Sequence, residues 1–243
     1  MKVYDMFQRK TSQMAVLIDP DKPSDDEIRS IASLAVDSAV DYFFVGGSLL
    51  TNNNLESCIK ILKYTAPSIP VVLFPGNGYQ LSSRADAFLF LSLISGRNPE
   101  MLIGRHVVAA PYLKMSGLEI LPVGYMIIES GRATSVSYMS NSTPIPSDKN
   151  DIAICTAMAG EMLGLKVIFM DAGSGALHTI PERMIAAVKG SIEVPLIIGG
   201  GIRTPEKAAS VAKAGANIIV IGNAFENAPE LMPEFAQAIH AGN

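Results

Sequence analysis

Short apolar runs alternate with longer segments of helical periodicity along the whole chain. The runs at 14–18, 42–45, 70–74, 88–93, 120–129, 167–170, 196–198 and 218–221 read as strands buried on both faces. Between them lie helical patterns. One opens at Ser24, with Asp25, Asp26 and Glu27 in the first turn, where the helix dipole favours acids. Others cover 54–65, 99–114, 150–163 and 181–189, and a last one 229–241. Another begins where Thr204 can cap a helix with Pro205 at its first position. This alternation predicts an α/β fold with a parallel sheet. Eight strands in 243 residues match a (β/α)8 TIM barrel, which takes roughly 250 residues. No linker or shift of composition interrupts the pattern, so residues 1–243 read as a single TIM-barrel domain.

The pattern weakens in two places. After the third strand, the stretch from Gly76-Asn77-Gly78 to Arg84 is short for a crossover helix, so the third helix is expected to be reduced or replaced by a loop. After the fifth strand comes a polar, proline-rich stretch, 130–149, which includes Thr143-Pro144-Ile145-Pro146. A loop this long in a compact domain is functional or disordered. Asp148 is expected to cap the helix after it, and Pro111 to interrupt the helix that precedes the fifth strand.

In such a barrel the C-terminal ends of the strands share one face, where active sites lie. The last two strands run into Gly199-Gly200-Gly201 and Gly222-Asn223-Ala224, and the sixth into Asp171-Ala172-Gly173-Ser174-Gly175. Main-chain N–H groups of Ser174, Gly200, Gly201, Gly222 and Asn223, each before a helix, suit a phosphate. A single glycine turn would be turn chemistry only; three at consecutive strand ends favour the anion. Asp19-Pro20-Asp21-Lys22 follows the first strand and is either a capped turn or one side of a hard-cation site. Ser48, at the end of the second strand, is placed to add a hydroxyl to such a site. Asp171 can accept hydrogen bonds from substrate hydroxyls, act as a general base, or cap its own turn.

Composition narrows the chemistry. The net charge is −4 and no basic cluster occurs, which argues against nucleic acid. The hydrophobic fraction, 49%, fills a large core and leaves apolar surface for a lipid-like ligand or a subunit contact, so a homo-oligomer is expected. Cys58 and Cys155 read as buried free thiols in a reducing compartment. The first ten residues do not look like a signal peptide, and no apolar run is long enough for stable membrane insertion; a cytoplasmic location is expected. His106, His178 and His240 have no zinc-site spacing.

With these motifs placed, the chain resembles the geranylgeranylglyceryl phosphate synthase family, second subgroup. The resemblance spans nearly the whole chain and rests on six segments in order. They are Leu17-Ile18-Asp19-Pro20-Asp21-Lys22, Val45-Gly46-Gly47-Ser48, Thr143-Pro144-Ile145-Pro146 with Asp148-Lys149, Asp171-Ala172-Gly173-Ser174-Gly175-Ala176, the run from Gly199 to Pro205, and Val220-Ile221-Gly222-Asn223-Ala224. The resemblance implies a barrel lacking its third helix. It implies transfer of a polyprenyl group, geranylgeranyl by the family's default, from its diphosphate to the 3-hydroxyl of sn-glycerol 1-phosphate. It further implies that Asp19 and Ser48 bind Mg²⁺ and that Phe169, Met170, Asp171, Ala172, Gly173, Ser174, Gly175, Gly200, Gly201, Gly222 and Asn223 hold glycerol 1-phosphate, with Asp171 as catalytic acid or base. The family's Tyr-Leu-Glu before the turn is here Phe169-Met170-Asp171: the carboxylate is one methylene shorter and the hydroxyl is gone. Tyr125, Tyr138, Phe88 and Phe90 are candidates to line a groove for the prenyl tail, or are ordinary barrel core. Two rival readings share the phosphate cradle: a phosphosugar isomerase or synthase using Asp19 and Asp171 as an acid–base pair, and a barrel that binds a phosphate ligand without chemistry.

Overall fold

Eight parallel strands close into one barrel in sequential order in the computed structural model, which describes residues 2–78 and 80–242. The strands are β1 (Gln13–Ile18), β2 (Tyr42–Val45), β3 (Val71–Leu73), β4 (Ala87–Leu93), β5 (Glu119–Ile127), β6 (Val167–Asp171), β7 (Leu196–Gly199) and β8 (Ile218–Ile221). Closure is made by β1, which pairs with β2 from Ala15↔Tyr42 and with β8 from Gln13↔Ile218. The expected strands are therefore present, within one or two residues at each end.

Side chains alternate across each strand with period two, and this divides the core. Ala15, Phe44, Leu89, Val123, Tyr125, Phe169, Ile197 and Val220 fill the barrel interior. Their neighbours Val16, Val45, Ile168, Met170, Ile198 and Ile219 face outward to the helices. These helices are α2 (Asp25–Asp37), α3 (Leu55–Thr65), α4 (Arg105–Ser116), α6 (Asn150–Met162), α7 (Glu182–Lys189), α8 (Pro205–Lys213) and α10 (Met232–His240), with shorter α1 (Val3–Phe7), α5 (Ser135–Ser140) and α9 (Asn223–Asn227). Ser24 and Glu27 form a reciprocal capping box at α2, and Thr204 accepts from Lys207 N at α8.

The third crossover has no helix: residues 74–78 and 80–86 run as loop from β3 to β4. Only Val72↔Ala87 and Leu73↔Phe88 pair these two strands. The outer face of β4 instead meets α4, where the His106 ring lies edge-on to Phe90 at 4.4 Å. A π-helical turn, Glu100–Gly104, leads into α4, and Pro111 does not break the helix but sits on its exposed side.

Of the two alternatives for the stretch 130–149, disorder is ruled out: it holds α5, Ile145 bridges to Ile128 beside the end of β5, and Val136 and Met139 reach the cavity at the barrel rim. Two further expectations are corrected. Asp148 does not cap α6; Lys149 occupies the cap position and Asp148 is exposed one residue earlier. Cys155 is exposed on α6, because the helical period turns it away from the face buried through Ala153 and Ala157. Cys58 is buried as expected, and burial pushes its thiol up to about 12.

Helix α1 closes the barrel floor, and the sequence patterning does not reveal it because it is only five residues long. Phe7 packs edge-on against Tyr42 at 5.0 Å. The Glu119 carboxylate, at the start of β5, accepts from Val3 N (2.6 Å) and Tyr4 N (3.1 Å), where the helix N-terminus favours a negative charge. Glu119→Ala leaves two amide donors without that partner. It is expected to destabilise the chain by about 1–3 kcal/mol, read as a lower urea midpoint at unchanged slope.

Candidate active site at the barrel rim

The C-terminal strand ends surround a cavity of about 370 Å³ that continues into a groove along β4 and α4. Its polar end is built by the loops after β6, β7 and β8. Gly200 has φ +86°, and a Cβ there would lie 2.6 Å from Gly173 N and 2.8 Å from Ala172 Cβ. The β6 and β7 loops thus touch main chain to main chain. The amides of Ser174, Gly175, Gly200 and Gly201 have no intraprotein acceptor among the described residues. Across the cavity edge the Ser174 hydroxyl donates to Asn223 Oδ1 at 3.2 Å, tying the β6 loop to the start of α9. Unpaired amides on loops that line one cavity suit an anion.

Asp171 sits between this cradle and the groove. It is 8% exposed, and burial raises its pKa above the ordinary carboxylate value. Two donors oppose that rise: Gly173 N gives a hydrogen bond to Oδ1 at 2.7 Å, and the Tyr125 hydroxyl donates to Oδ2. Asp171 therefore caps its own turn and also carries a carboxylate on the cavity wall. Burial and the adjacent carboxylate raise the Tyr125 phenol well above its usual value, so it remains a donor. The Tyr125 ring belongs to a cluster with Phe169 (5.4 Å) and Phe74 (5.9 Å), and Phe74 stacks on Phe169 at 5.1 Å.

The opposite side of the rim carries Asp19 and Ser48. Asp19 Oδ1 accepts from Asp21 N at 3.1 Å, while Oδ2 has Lys22 Nζ at 3.9 Å. Partial burial raises the Asp19 pKa against the pull of these donors. Lys22 is held mainly by Glu226, at 2.9 and 3.0 Å to its two carboxylate oxygens. Asp21 turns away and accepts from Asn52 N at 3.1 Å, a turn-holding role. Among the described residues no three His, Cys, Asp or Glu side chains group as a metal cage. A carboxylate and a hydroxyl residue that line one cavity, Asp19 and Ser48, have the donor chemistry of a hard-cation site whose shell is completed by water and phosphate oxygens.

Of the residues expected from sequence, Asp19, Ser48, Phe169, Asp171, Ser174, Gly175, Gly200, Gly201, Gly222 and Asn223 line this one cavity. Met170 and Ala172 do not: both pack outward in the helix-facing core, as their position one residue off Phe169 and Asp171 dictates. Gly173 also lies outside the lining, packed beneath Thr134. In the groove, Phe88 and Phe90 line the wall as expected, whereas Tyr138 is 83% exposed on α5. Sequence reasoning missed Glu226, the Tyr125–Asp171 contact and the α4 wall. Met101, Arg105 and Ala109, spaced four apart, are the helical stripe that would have pointed to that wall.

Comparison with known proteins follows the same lines. The model of the PcrB family matches residues 4–240. A geranylgeranylglyceryl phosphate synthase of Chitinophaga pinensis is 55% identical over 99% of this chain and 96% of its own length. One from Methanothermobacter marburgensis is 38% identical over 98% of both chains. The crystal structure of (S)-3-O-geranylgeranylglyceryl phosphate synthase from Thermoplasma acidophilum, in complex with its substrate sn-glycerol-1-phosphate, superposes with a TM-score of 0.93 at 31% identity, covering 99% of each chain. A tryptophan synthase alpha chain from Legionella pneumophila, with a TM-score of 0.60 at 15% identity, shares the fold alone.

The cradle geometry makes its own test. Gly200→Ala places a methyl group against the Gly173 amide and in a strained left-handed backbone. Calorimetric affinity for inorganic phosphate is expected to fall by about tenfold or more, the loss of roughly one charge-assisted hydrogen bond, with the far-UV spectrum unchanged.

Proposed function

The chain belongs to the PcrB family of geranylgeranylglyceryl phosphate synthases, and on that premise we propose how its site works: it joins the 3-hydroxyl of sn-glycerol 1-phosphate to a polyprenyl diphosphate, geranylgeranyl diphosphate by preference, and releases diphosphate. It is an enzyme, a prenyltransferase. The observation that carries the reading is a single cavity in which an amide cradle, a buried carboxylate and an apolar groove meet in sequence.

In this reading the amides of Ser174, Gly175, Gly200 and Gly201 bind the phosphate of glycerol 1-phosphate and fix its far hydroxyl beside Asp171. Asp171 takes the proton from that hydroxyl as the oxygen attacks the allylic carbon. The carbon–oxygen bond to diphosphate breaks as the ether bond forms. Phe169, Phe74 and Tyr125 line the cavity in which the allylic carbon would gain positive charge, which an aromatic quadrupole favours. Asp19 and Ser48 would hold Mg²⁺, which when bound neutralises charge on the departing diphosphate. Lys22 stands beside the same place. Phe88, Phe90, Met101 and Ala109 offer the hydrocarbon tail an apolar wall. Much of the rate would come from aligning two held reactants. An isomerase acting on a phosphosugar would have no use for that wall.

Two wider expectations belong to the same reading. Val107, Val108, Tyr112 and Met115 are exposed together on α4, which supports self-association into a homo-oligomer. No described helix is long and apolar enough to cross a membrane, which is compatible with a cytoplasmic enzyme that meets its lipid donor at a membrane surface.

The direct test is a product assay with Mg²⁺, sn-glycerol 1-phosphate and prenyl diphosphates of increasing length. Ether formation is expected, highest with the geranylgeranyl donor; absence of ether with every donor would overturn the reading. Asp19→Asn is expected to lower Mg²⁺-dependent kcat/KM on the order of 100-fold or more with the fold intact, by circular dichroism. The pH profile tests the base. The active form of Asp171 is the carboxylate, so the rate should rise with pH through a pKa above the ordinary carboxylate value. Tyr125→Phe removes a donor that holds this pKa down, and the acid limb should move to higher pH. Asp171→Asn should abolish the limb along with most of the rate.

A further inference from the structure

One side chain of the loop that replaces the third helix ties it to the turn after β2. Gln80 is 4% exposed and lies outside the cavity lining. Its carboxamide makes three hydrogen bonds, all to main chain at the rim. Oε1 accepts from Gly76 N at 3.1 Å and from Gly47 N at 3.4 Å, and Nε2 donates to Gly47 O at 2.9 Å. One side chain thus holds both peptide groups that flank the Gly47 Cα. The second of those peptides leads directly into Ser48.

The turns so joined have no slack. A Cβ on Gly46 would lie 2.0 Å from Phe74 O, and one on Gly76 would lie 2.3 Å from Gly47 O and 2.8 Å from Ser48 O. A Cβ on Gly47 would stand 3.4 Å from Asp19 Oδ2, so the turn that Gln80 grips is separated from the Asp19 carboxylate by no more than the width of a methyl group. The phosphate cradle is elsewhere on the rim, on the loops after β6, β7 and β8.

We propose that Gln80 is a positioning residue for the diphosphate end of the site: by locking the two peptides around Gly47, it fixes Ser48 relative to Asp19 before the metal and diphosphate bind. This rests on the prenyl-transfer reading above. A hydroxyl on a turn with no such anchor would have to be ordered at each binding event, which weakens affinity and misplaces the ligand. The side-chain chemistry is specific. Glutamate would keep the two acceptor contacts but lose the donor and set a carboxylate oxygen against Gly47 O. Leucine would lose all three.

The experiment compares wild type, Gln80→Leu and Gln80→Glu. Titration calorimetry measures inorganic diphosphate with Mg²⁺ and, separately, sn-glycerol 1-phosphate; steady-state kinetics give KM for each substrate. Gln80→Leu is expected to weaken Mg²⁺–diphosphate binding and raise the prenyl diphosphate KM by about tenfold, with glycerol 1-phosphate affinity within about twofold of wild type. Gln80→Glu should lie between wild type and Gln80→Leu, and it carries the test if the leucine variant fails to fold. Unchanged Mg²⁺–diphosphate binding in either folded variant overturns the proposal. So does an equal loss for both ligands, which would mark Gln80 as merely structural. So does a wild-type chain that does not bind Mg²⁺–diphosphate. If the wild-type chain makes no ether yet binds Mg²⁺–diphosphate in a Gln80-dependent way, the prenyl-transfer reading falls and the role of Gln80 stands.

Discussion

At two places on the barrel rim, main chain lies on main chain with no room for a side chain between. Gly200 meets the Ala172–Gly173 peptide, and Gly46 and Gly76 interlock with Phe74 and the Gly47–Ser48 turn. These contacts place the loops after β6 and β7 and the Ser48 turn. The first brings the β6 and β7 loops together beside the cavity. The second sets the Ser48 turn on the side of the rim that carries Asp19. The first is a contact of backbone with backbone and does not depend on the rotamers of long side chains; the second is held in addition by Gln80. The rim is therefore preorganised for anions before any ligand arrives, which is where electrostatic binding and catalysis gain most.

Loss of the third crossover helix supplies what the rim alone lacks. A parallel sheet is ordinarily covered on both faces. Here β3 and β4 share only two register pairs, and the space beside them is bounded by a loop and by α4. The walls that remain carry Phe88 and Phe90 on the strand side and, on the helix side, Met101 and Ala109 with Arg105 and His106 between them. A hydrocarbon tail lying there would remove apolar surface from water at about 25 cal/mol per Å². The omission thus leaves an apolar groove between β4 and α4, which on the proposed reading takes the lipid chain, and the loop that takes the helix's place is also the loop that carries Gln80.

The strands and most helices were legible because buried parallel strands are continuous apolar runs and the helices carry caps such as Ser24 and Thr204. The missing helix was legible from a segment too short to cross the barrel. What was not legible has a common physical cause. Helix α1 and helix α5 are five and six residues long, too short for a periodic signal, and are held by tertiary contacts such as Glu119 on the α1 amides. In the site, residues identified by strand-end position came together, whereas Met170 and Ala172 did not, since a motif read as a continuous string ignores the two-residue alternation that sends every second side chain outward. Gln80, Glu226 and the α4 wall act across long sequence separations, from positions without a motif.

Phe169 and Tyr125 share the surroundings of Asp171 in a way the strand register explains. In the register of β5 and β6, Tyr125 stands directly opposite Phe169, two residues before the pair Ile127↔Asp171. Its ring packs edge-on against Phe169 and its hydroxyl reaches Asp171 Oδ2. A phenol thus donates to the site's buried carboxylate from the neighbouring strand, and Gly173 N reaches the other oxygen. Phe169 then serves as an apolar face stacked on Phe74, between the polar rim and the groove. The two strands thus divide two duties, a dry aromatic surface on β6 and a hydroxyl donor on β5, around one carboxylate whose proton affinity is raised by burial and limited by its two donors.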